Sequence, residues 1–238
     1  MKYLILFALS IPFFSNCTST MPYGSSNSYY GNEPTLEKSL FPSDQLLLSQ
    51  AVIDTILSSK IEIPNNSKLA IIKFSGSLEQ NSSKYGYGYW RSEAYLKLQQ
   101  SYVDTLKNLI SGSESIASIS LLPSLLTPKN PTIPVLREAA VRLQAPLLLV
   151  YRINSDIYQE YRVFRATKSK AYATVEVVLL DIRTGIIPFT SIATKEFQSE
   201  KTKQDSNDQD LLRRTEQEAV NKALNTVATE LVNFFNSN

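Results

Sequence analysis

Residues 147–153 read LLLVYRI, and residues 172–185 read YATVEVVLLDIRTG. The first stretch is almost entirely apolar, which is typical of a central strand buried on both faces. In the second stretch apolar residues recur at every other position, which predicts a strand with one buried face as far as Asp181. Because Thr184-Gly185 is a turn signal, we expect residues 186–197 to return as an antiparallel strand. These three strands form the centre of the predicted sheet.

The segments on either side alternate between helix and strand patterns. Residues 68–74 (KLAIIKF) and residues 116–122 predict two further buried strands. Apolar residues at spacings of three and four predict four helices, over residues 43–63, 95–109, 132–145 and 212–235. The element order α-β-α-β-α-β-β-β-α predicts a single three-layer-like α/β sandwich, in which a mixed β-sheet is flanked by helices.

Composition excludes several function classes. The chain has 238 residues, a formal net charge of +2, no histidine and one cysteine. A charge so close to neutral argues against a nucleic-acid partner, which needs a dense basic face. The missing histidine removes the usual general base and the commonest metal ligand. We therefore predict no catalytic residue, no cofactor and no metal site, and we do not expect an enzyme.

The N-terminus has the pattern of an export signal. Met1-Lys2 supplies a positive start, and the uncharged run that follows is too short to span a bilayer. The run ends at Phe14-Ser15-Asn16-Cys17, which resembles the lipobox of bacterial lipoproteins. That resemblance implies a cleaved signal peptide over residues 1–16, a lipid on Cys17, and a location at the cell outer membrane, facing the periplasm.

The stretch after the cysteine has a different amino-acid composition. Residues 17–41 are rich in Ser, Asn, Gly, Tyr and Pro and show no apolar periodicity. We expect a lipidated flexible tether there, followed by a single domain over residues 42–238.

The predicted domain resembles a known family. The pieces that carry the resemblance are KLAIIKF, REAAVRLQAPLLLVYRI, VEVVLLDIRTG and the long last helix. Together they are similar to the curli-secretion-channel lipoproteins (CsgG-type) and to the related outer-membrane lipoproteins that activate penicillin-binding proteins (LpoB-like). The resemblance implies a structural turn role for Asp181, Thr184 and Gly185, and an envelope protein as partner.

Channel members of that family insert two long hairpins into the membrane. The corresponding candidates here are residues 156–170 and residues 197–214, and both are rich in polar and charged residues. The first is also too short for two membrane strands of about 9–11 residues each. We therefore expect the family fold without pore-forming hairpins.

Aromatic residues mark two candidate binding surfaces. The first is a glycine-punctuated stretch containing Tyr85, Tyr87, Tyr89 and Trp90. The second lies among charged residues and contains Tyr158, Tyr161 and Phe164. Tyr and Trp offer a large contact area at low entropic cost, although each stretch could equally fold back onto the sheet or form a plain exposed loop.

These observations favour a non-enzymatic interaction or regulatory module for an envelope protein, such as a cell-wall synthase or a secretion assembly. The alternative is a lipoprotein that binds peptidoglycan or another carbohydrate. A histidine-free hydrolase and a pore subunit are less favoured.

Overall fold

The computed structural model describes residue 40 and residues 49–59, 62–74, 93–127, 131–160 and 166–237. The helices are α1 (Gln50–Ser58), α2 (Glu93–Ile110), α3 (Ile133–Arg142) and α4 (Asp208–Ser237), with a short 3-10 helix at Ser124–Leu126. The strands are β1 (Ser67–Lys73), β2 (Ile116–Leu121), β3 (Leu147–Glu160), β4 (Lys168–Asp181) and β5 (Phe189–Glu200). The order of helices and strands is the predicted one.

The strands form one mixed sheet in the order β2-β1-β3-β4-β5. Strand β1 pairs in parallel with both β2 and β3, whereas β3, β4 and β5 are mutually antiparallel. The two stretches that predicted the fold are therefore neighbours, with Leu149 opposite Leu179. The α/β class and the mixed sheet are confirmed.

Helices cover both faces of this sheet. Helices α2 and α4 pack on one face, over a core that includes Leu106, Leu149, Val177 and Leu224. Helix α3 packs on the other face, over a smaller core that includes Leu136, Leu148 and Leu180. Because the first half of β3 contributes to both cores, the almost continuous apolar sequence of residues 147–153 is explained by burial on both sides.

The central strands are longer than predicted. Strand β3 continues past Ile153 to Glu160, and β4 begins at Lys168 rather than at Tyr172. These added residues pair in register over their whole length, from Asn154 opposite Thr174 to Glu160 opposite Lys168. Their sequence is largely polar because only one of their two faces is covered, so it did not show the apolar pattern of a strand.

The two segments compared with membrane hairpins are parts of this same domain. Residues 156–160 and 168–170 extend β3 and β4, with residues 161–165 outside the described part. Residues 197–214 contain the end of β5, a loop and the first turns of α4, so that they form no second hairpin.

Helix α1 differs from its prediction in length and in burial. It ends at Ser58, where the hydroxyls of Ser58 and Ser59 donate to carbonyls of the preceding turn and compete with its backbone bonds. None of its residues is buried, and Leu57 is 80% exposed. Apolar periodicity shows that a helix has two unlike faces, but it does not show that a partner covers the apolar one.

Leu40 belongs to the packed structure, although it falls just inside the predicted tether. Its side chain packs against the smaller core beneath α3. Its carbonyl accepts the backbone N–H of Ile133 at 2.9 Å, which satisfies one of the free donors of the first helical turn. The other residues of the predicted signal peptide and tether, Cys17 included, lie outside the described residues.

Candidate interaction surface

The antiparallel strands β3, β4 and β5 present one alternation of side chains to α4 and the other to solvent. We call the solvent side the hairpin face; it consists of the even-numbered positions within residues 152–160, 168–176 and 192–200. These positions are exposed or half-buried, and among the described residues no helix packs over them. The period of two along each strand puts all of them on one side of the sheet.

An aromatic pair lies at the centre of the hairpin face. The rings of Tyr158 and Tyr172 meet edge to face, with centroids 6.1 Å apart and planes at 83°. Tyr158 is 54% exposed, and its hydroxyl donates to Asp156 Oδ2 at 2.8 Å. Lys170 Nζ lies 4.7 Å from the centroid of the Tyr172 ring. The two rings are thus held in place at the surface by their neighbours.

Ion pairs between strands surround the two tyrosines. Lys170 Nζ lies 2.8 Å from Glu196 Oε2, and Lys168 Nζ lies 2.9 Å from Glu200 Oε1. The hydrogen bond to Glu196, followed by that to Tyr172, raises the pKa of Lys170 to about 12. The same ammonium group lowers the pKa of Glu196. Both groups are therefore charged at neutral pH.

The hairpin face carries more acidic than basic side chains. The carboxylates belong to Asp156, Glu160, Glu176, Glu196 and Glu200, whereas the cations belong to Arg152, Lys168 and Lys170. Glu176 is matched by Arg152, whose guanidinium donates to both of its carboxylate oxygens at 2.8 and 2.6 Å. Three of these carboxylates are thus matched by cations on the neighbouring strand.

Ile192 is the one aliphatic side chain on the hairpin face, and it is 72% exposed. It lies at one end of the face, opposite Glu176 on β4, which is ion-paired with Arg152 on β3. Between this end and the tyrosines, the hydroxyls of Thr174 and Thr194 are 2.9 Å apart. The hairpin face therefore combines aromatic, aliphatic, polar and ion-paired side chains, which is a composition compatible with a protein interface.

The opposite side of these strands is covered by the first half of α4. Ser199 and Thr215 share a hydrogen bond of 2.7 Å, and Ser155 donates to the buried carboxylate of Glu216. The amide nitrogen of Gln159 and the hydroxyl of Ser169 are buried here without a partner among the described atoms. The covered side of this region therefore mixes these polar groups with apolar side chains such as Ile157 and Phe197.

Of the predicted binding residues, the structure describes Tyr158 and places it at the centre of the hairpin face. The remaining predicted binding residues, Tyr85, Tyr87, Tyr89, Trp90, Tyr161 and Phe164, lie outside the described residues. Sequence reasoning missed Tyr172, whose ring contacts Tyr158, and the ion pair of Lys170 with Glu196 beside it. The signal was present in residues 168–174 (KSKAYAT), where large polar or aromatic residues alternate with small ones.

The predicted turn residues lie at the other end of β4. Asp181 is 2% exposed, and its carboxylate accepts the backbone N–H of Arg183 at 2.9 Å and the Thr184 hydroxyl at 3.1 Å. Gly185 has a φ of 78°, a value that favours glycine, and its N–H donates to the Asp181 carbonyl at 2.8 Å. These contacts turn the chain from β4 towards β5 and hold the turn far along the sheet from Tyr158.

Comparison with protein-family models and with curated protein sequences gives no match. Several solved structures are similar to this chain. The LpoB C-terminal domain from Salmonella enterica has 12% identity and a TM-score of 0.31, over 61% of this chain and 93% of that one. The minor lipoprotein from Acinetobacter baumannii has 8% identity and a TM-score of 0.35, over 70% and 93%. The PelC dodecamer from Paraburkholderia phytofirmans has 11% identity and a TM-score of 0.35, over 69% and 88%. At such low identity, the function has to be inferred from the residues of this chain.

Two other kinds of feature are absent from the described residues. They contain no group of three or more Cys, Asp or Glu side chains arranged to hold a metal ion. Their helices include none that combines the length and the apolar character needed to cross a membrane.

Proposed function

We propose that this chain is a non-enzymatic interaction module of the bacterial envelope, held at the outer membrane by a lipid on Cys17 and bound to an envelope protein through the hairpin face. The observation that carries the proposal is the side of β3, β4 and β5 over which no described helix packs, with the Tyr158–Tyr172 pair at its centre. The lipobox-like sequence and the resemblance to LpoB-like and CsgG-type lipoproteins support the location and the partner class, a cell-wall synthase or a secretion assembly.

The geometry of the aromatic pair favours protein over carbohydrate as the ligand of the hairpin face. A sugar ring stacks on a flat aromatic surface, whereas the rings of Tyr158 and Tyr172 are inclined at 83° and present no common plane. Ion pairs and the exposed Ile192 around them match the mixed polar and apolar composition of protein interfaces. Binding of peptidoglycan by residues 85–90 stays a separate prediction.

Photo-crosslinking in living cells tests the proposal directly. The full chain is expressed with benzoylphenylalanine in place of Tyr158 or Ile192, and, as a matched control, in place of Thr229 on the exposed side of α4. We expect an adduct with one envelope protein from the two hairpin-face positions and none from the control. Adducts with cell-wall material, or equal adducts from all three positions, would contradict the proposal.

Two variants complete this experiment. Tyr158→Ala should abolish the adduct formed from position 192, while the free energy of unfolding falls by no more than about 1.5 kcal/mol, the cost of losing its contact with Tyr172. Cys17→Ser should move the chain out of the membrane fraction. A variant that stays fully membrane-bound would argue against the lipid anchor but not against the hairpin face.

A further inference from the structure

The two edge strands of the described sheet differ in how they are protected against pairing with another chain. Strand β5 carries Lys195, Glu196 and Glu200, which are charges of the kind that keep edges from pairing. Strand β2, with the sequence IASISL, carries no charge at all. Its one irregularity is a bulge that leaves Ala117 without an opposite residue on β1.

Beyond this bulge, β2 pairs with β1 on one side, and no described strand pairs with the other side of its backbone. Leu122 N–H donates to the Ile71 carbonyl at 2.9 Å, which shows that the polar groups of residue 122 point towards β1. Because successive residues of a strand point to opposite sides, those of Ile119 and Leu121 point to the open edge of the sheet. An extended segment could pair with these groups without disturbing the bonds between β1 and β2.

A groove runs along this edge. Its volume is about 210 Å³, and it lies between β2 and helix α2, with Lys107, Asn108 and Ser111 on the helix side and Ala117, Ser118 and Ile119 on the strand side. Lys107 is the one charged residue in its lining, and it forms no ion pair with a described residue. A helix beside an open strand edge is the arrangement that binds peptides by strand addition.

We propose that β2 is a second binding site, which accepts an extended peptide segment of a partner protein that carries a carboxylate opposite Lys107. The segment adds to the sheet through the backbone of Ile119 and Leu121, and its acidic side chain enters the groove beside α2. Lys107 favours an acidic segment by charge complementarity. The uncharged β2 imposes no strong preference on the other side chains of that segment. The site is at the opposite edge of the sheet from β5 and does not depend on the hairpin face.

A peptide-binding experiment on the full chain tests this site. The probe is a pool of fluorescent five-residue peptides of Val and Thr with one Glu at each position in turn, and a matched pool has Lys in place of Glu. We expect the Glu pool to bind and the Lys pool to bind at least about fivefold more weakly. Hydrogen exchange should slow at the amides of Ile119 and Leu121 in the presence of the Glu pool.

Variants of α2 separate this site from non-specific attraction. Lys107→Gln should weaken the Glu pool about fivefold, whereas the matched control Lys97→Gln on the same helix should leave it unchanged. Tyr158→Ala should also leave it unchanged, so that a failure here is distinct from a failure of the hairpin face. No binding of the Glu pool, equal binding of the two pools, or unchanged exchange at Ile119 and Leu121 would each overturn the proposal.

Discussion

The β3–β4 ladder has two halves of unlike character. The covered half pairs residues 147–151 with residues 177–181, and helices pack on both of its faces. The open half pairs residues 152–160 with residues 168–176, and among the described elements α4 is the helix that packs on it. The same two strands therefore supply the centre of the core at one end and the proposed binding surface at the other. An antiparallel pair can do this because each face is set by alternate residues.

The largest expected contrast concerns apolar side chains on the α4 side of β3. Leu149→Ala in the covered half removes a fully buried side chain and should lower the free energy of unfolding by about 2–5 kcal/mol. Ile157→Ala in the open half removes a half-buried side chain and should cost about 1–2 kcal/mol. Urea denaturation followed by circular dichroism measures both. Equal losses would mean that the two halves do not differ in packing.

An ion pair that follows β5 contributes to the stability of the open half, whose core is smaller than that of the covered half. After β5, Asp205 accepts Thr202 N–H at 2.7 Å and two guanidinium hydrogen bonds from Arg214, at 3.1 and 2.9 Å. Arg214 also donates to the Glu200 carbonyl and so ties β5 to α4. We expect Asp205→Asn to lower the free energy of unfolding by about 1–3 kcal/mol. The matched control Asp208→Asn, in a more exposed pair with Lys201, should cost less.

This ion pair also predicts a dependence on pH. The hydrogen bond from Arg214 holds the pKa of Asp205 well below its ordinary value of 3.8. The stabilisation by this pair is therefore complete above pH 3.8. It declines as the pH falls below that value, because the Asp205 carboxyl becomes protonated in the unfolded chain while it stays ionised in the folded chain. The difference between wild type and Asp205→Asn should shrink from pH 5 to pH 2 in urea titrations. A constant difference over that range would show that the carboxylate charge is not what stabilises the loop.

The smallest contrast concerns two glycines. A Cβ at Gly185 would lie 3.2 Å from Arg137 Nη1, and the positive φ strains any other residue there. Gly185→Ala should therefore cost about 1–2 kcal/mol. A Cβ at Gly112, after α2, would meet nothing closer than 3.8 Å, so Gly112→Ala is the control and should be near neutral. Thermal unfolding of both variants measures the difference; a near-neutral Gly185→Ala would remove the reason for glycine in the turn of the covered half.

The sequence predicted the covered half well and the open half poorly, and the reason is physical. Apolar runs such as residues 147–153 are constrained by burial on two faces, so that their pattern can be read directly. Asn154 and Lys168 belong to strands as well, but their conformation is set by hydrogen bonds to a neighbouring strand that local sequence does not reveal. For the same reason Tyr158 could be singled out as a candidate, whereas Tyr172 and Glu196, which come from two other strands, could not be assigned to it.

The two edges of the sheet also show what can and cannot be predicted from the sequence. The lack of charge in residues 116–121 is visible in the sequence, but the position of β2 at an edge depends on the order β2-β1-β3-β4-β5. Lys107 can be proposed as a binding residue only when α2 is known to lie beside that edge.

The contact between Leu40 and α3 limits the distance between the domain and a lipid on Cys17. With Leu40 fixed to the domain, a lipid on Cys17 would be separated from it by 23 peptide links. A chain of that length spans at most roughly 80 Å when fully extended. If the domain is held by the proposed lipid, a protein that binds the hairpin face would have to present its own surface within about that radius, plus the width of the domain, of the membrane. Partners that lie deeper in the envelope would then be out of reach, whatever their affinity.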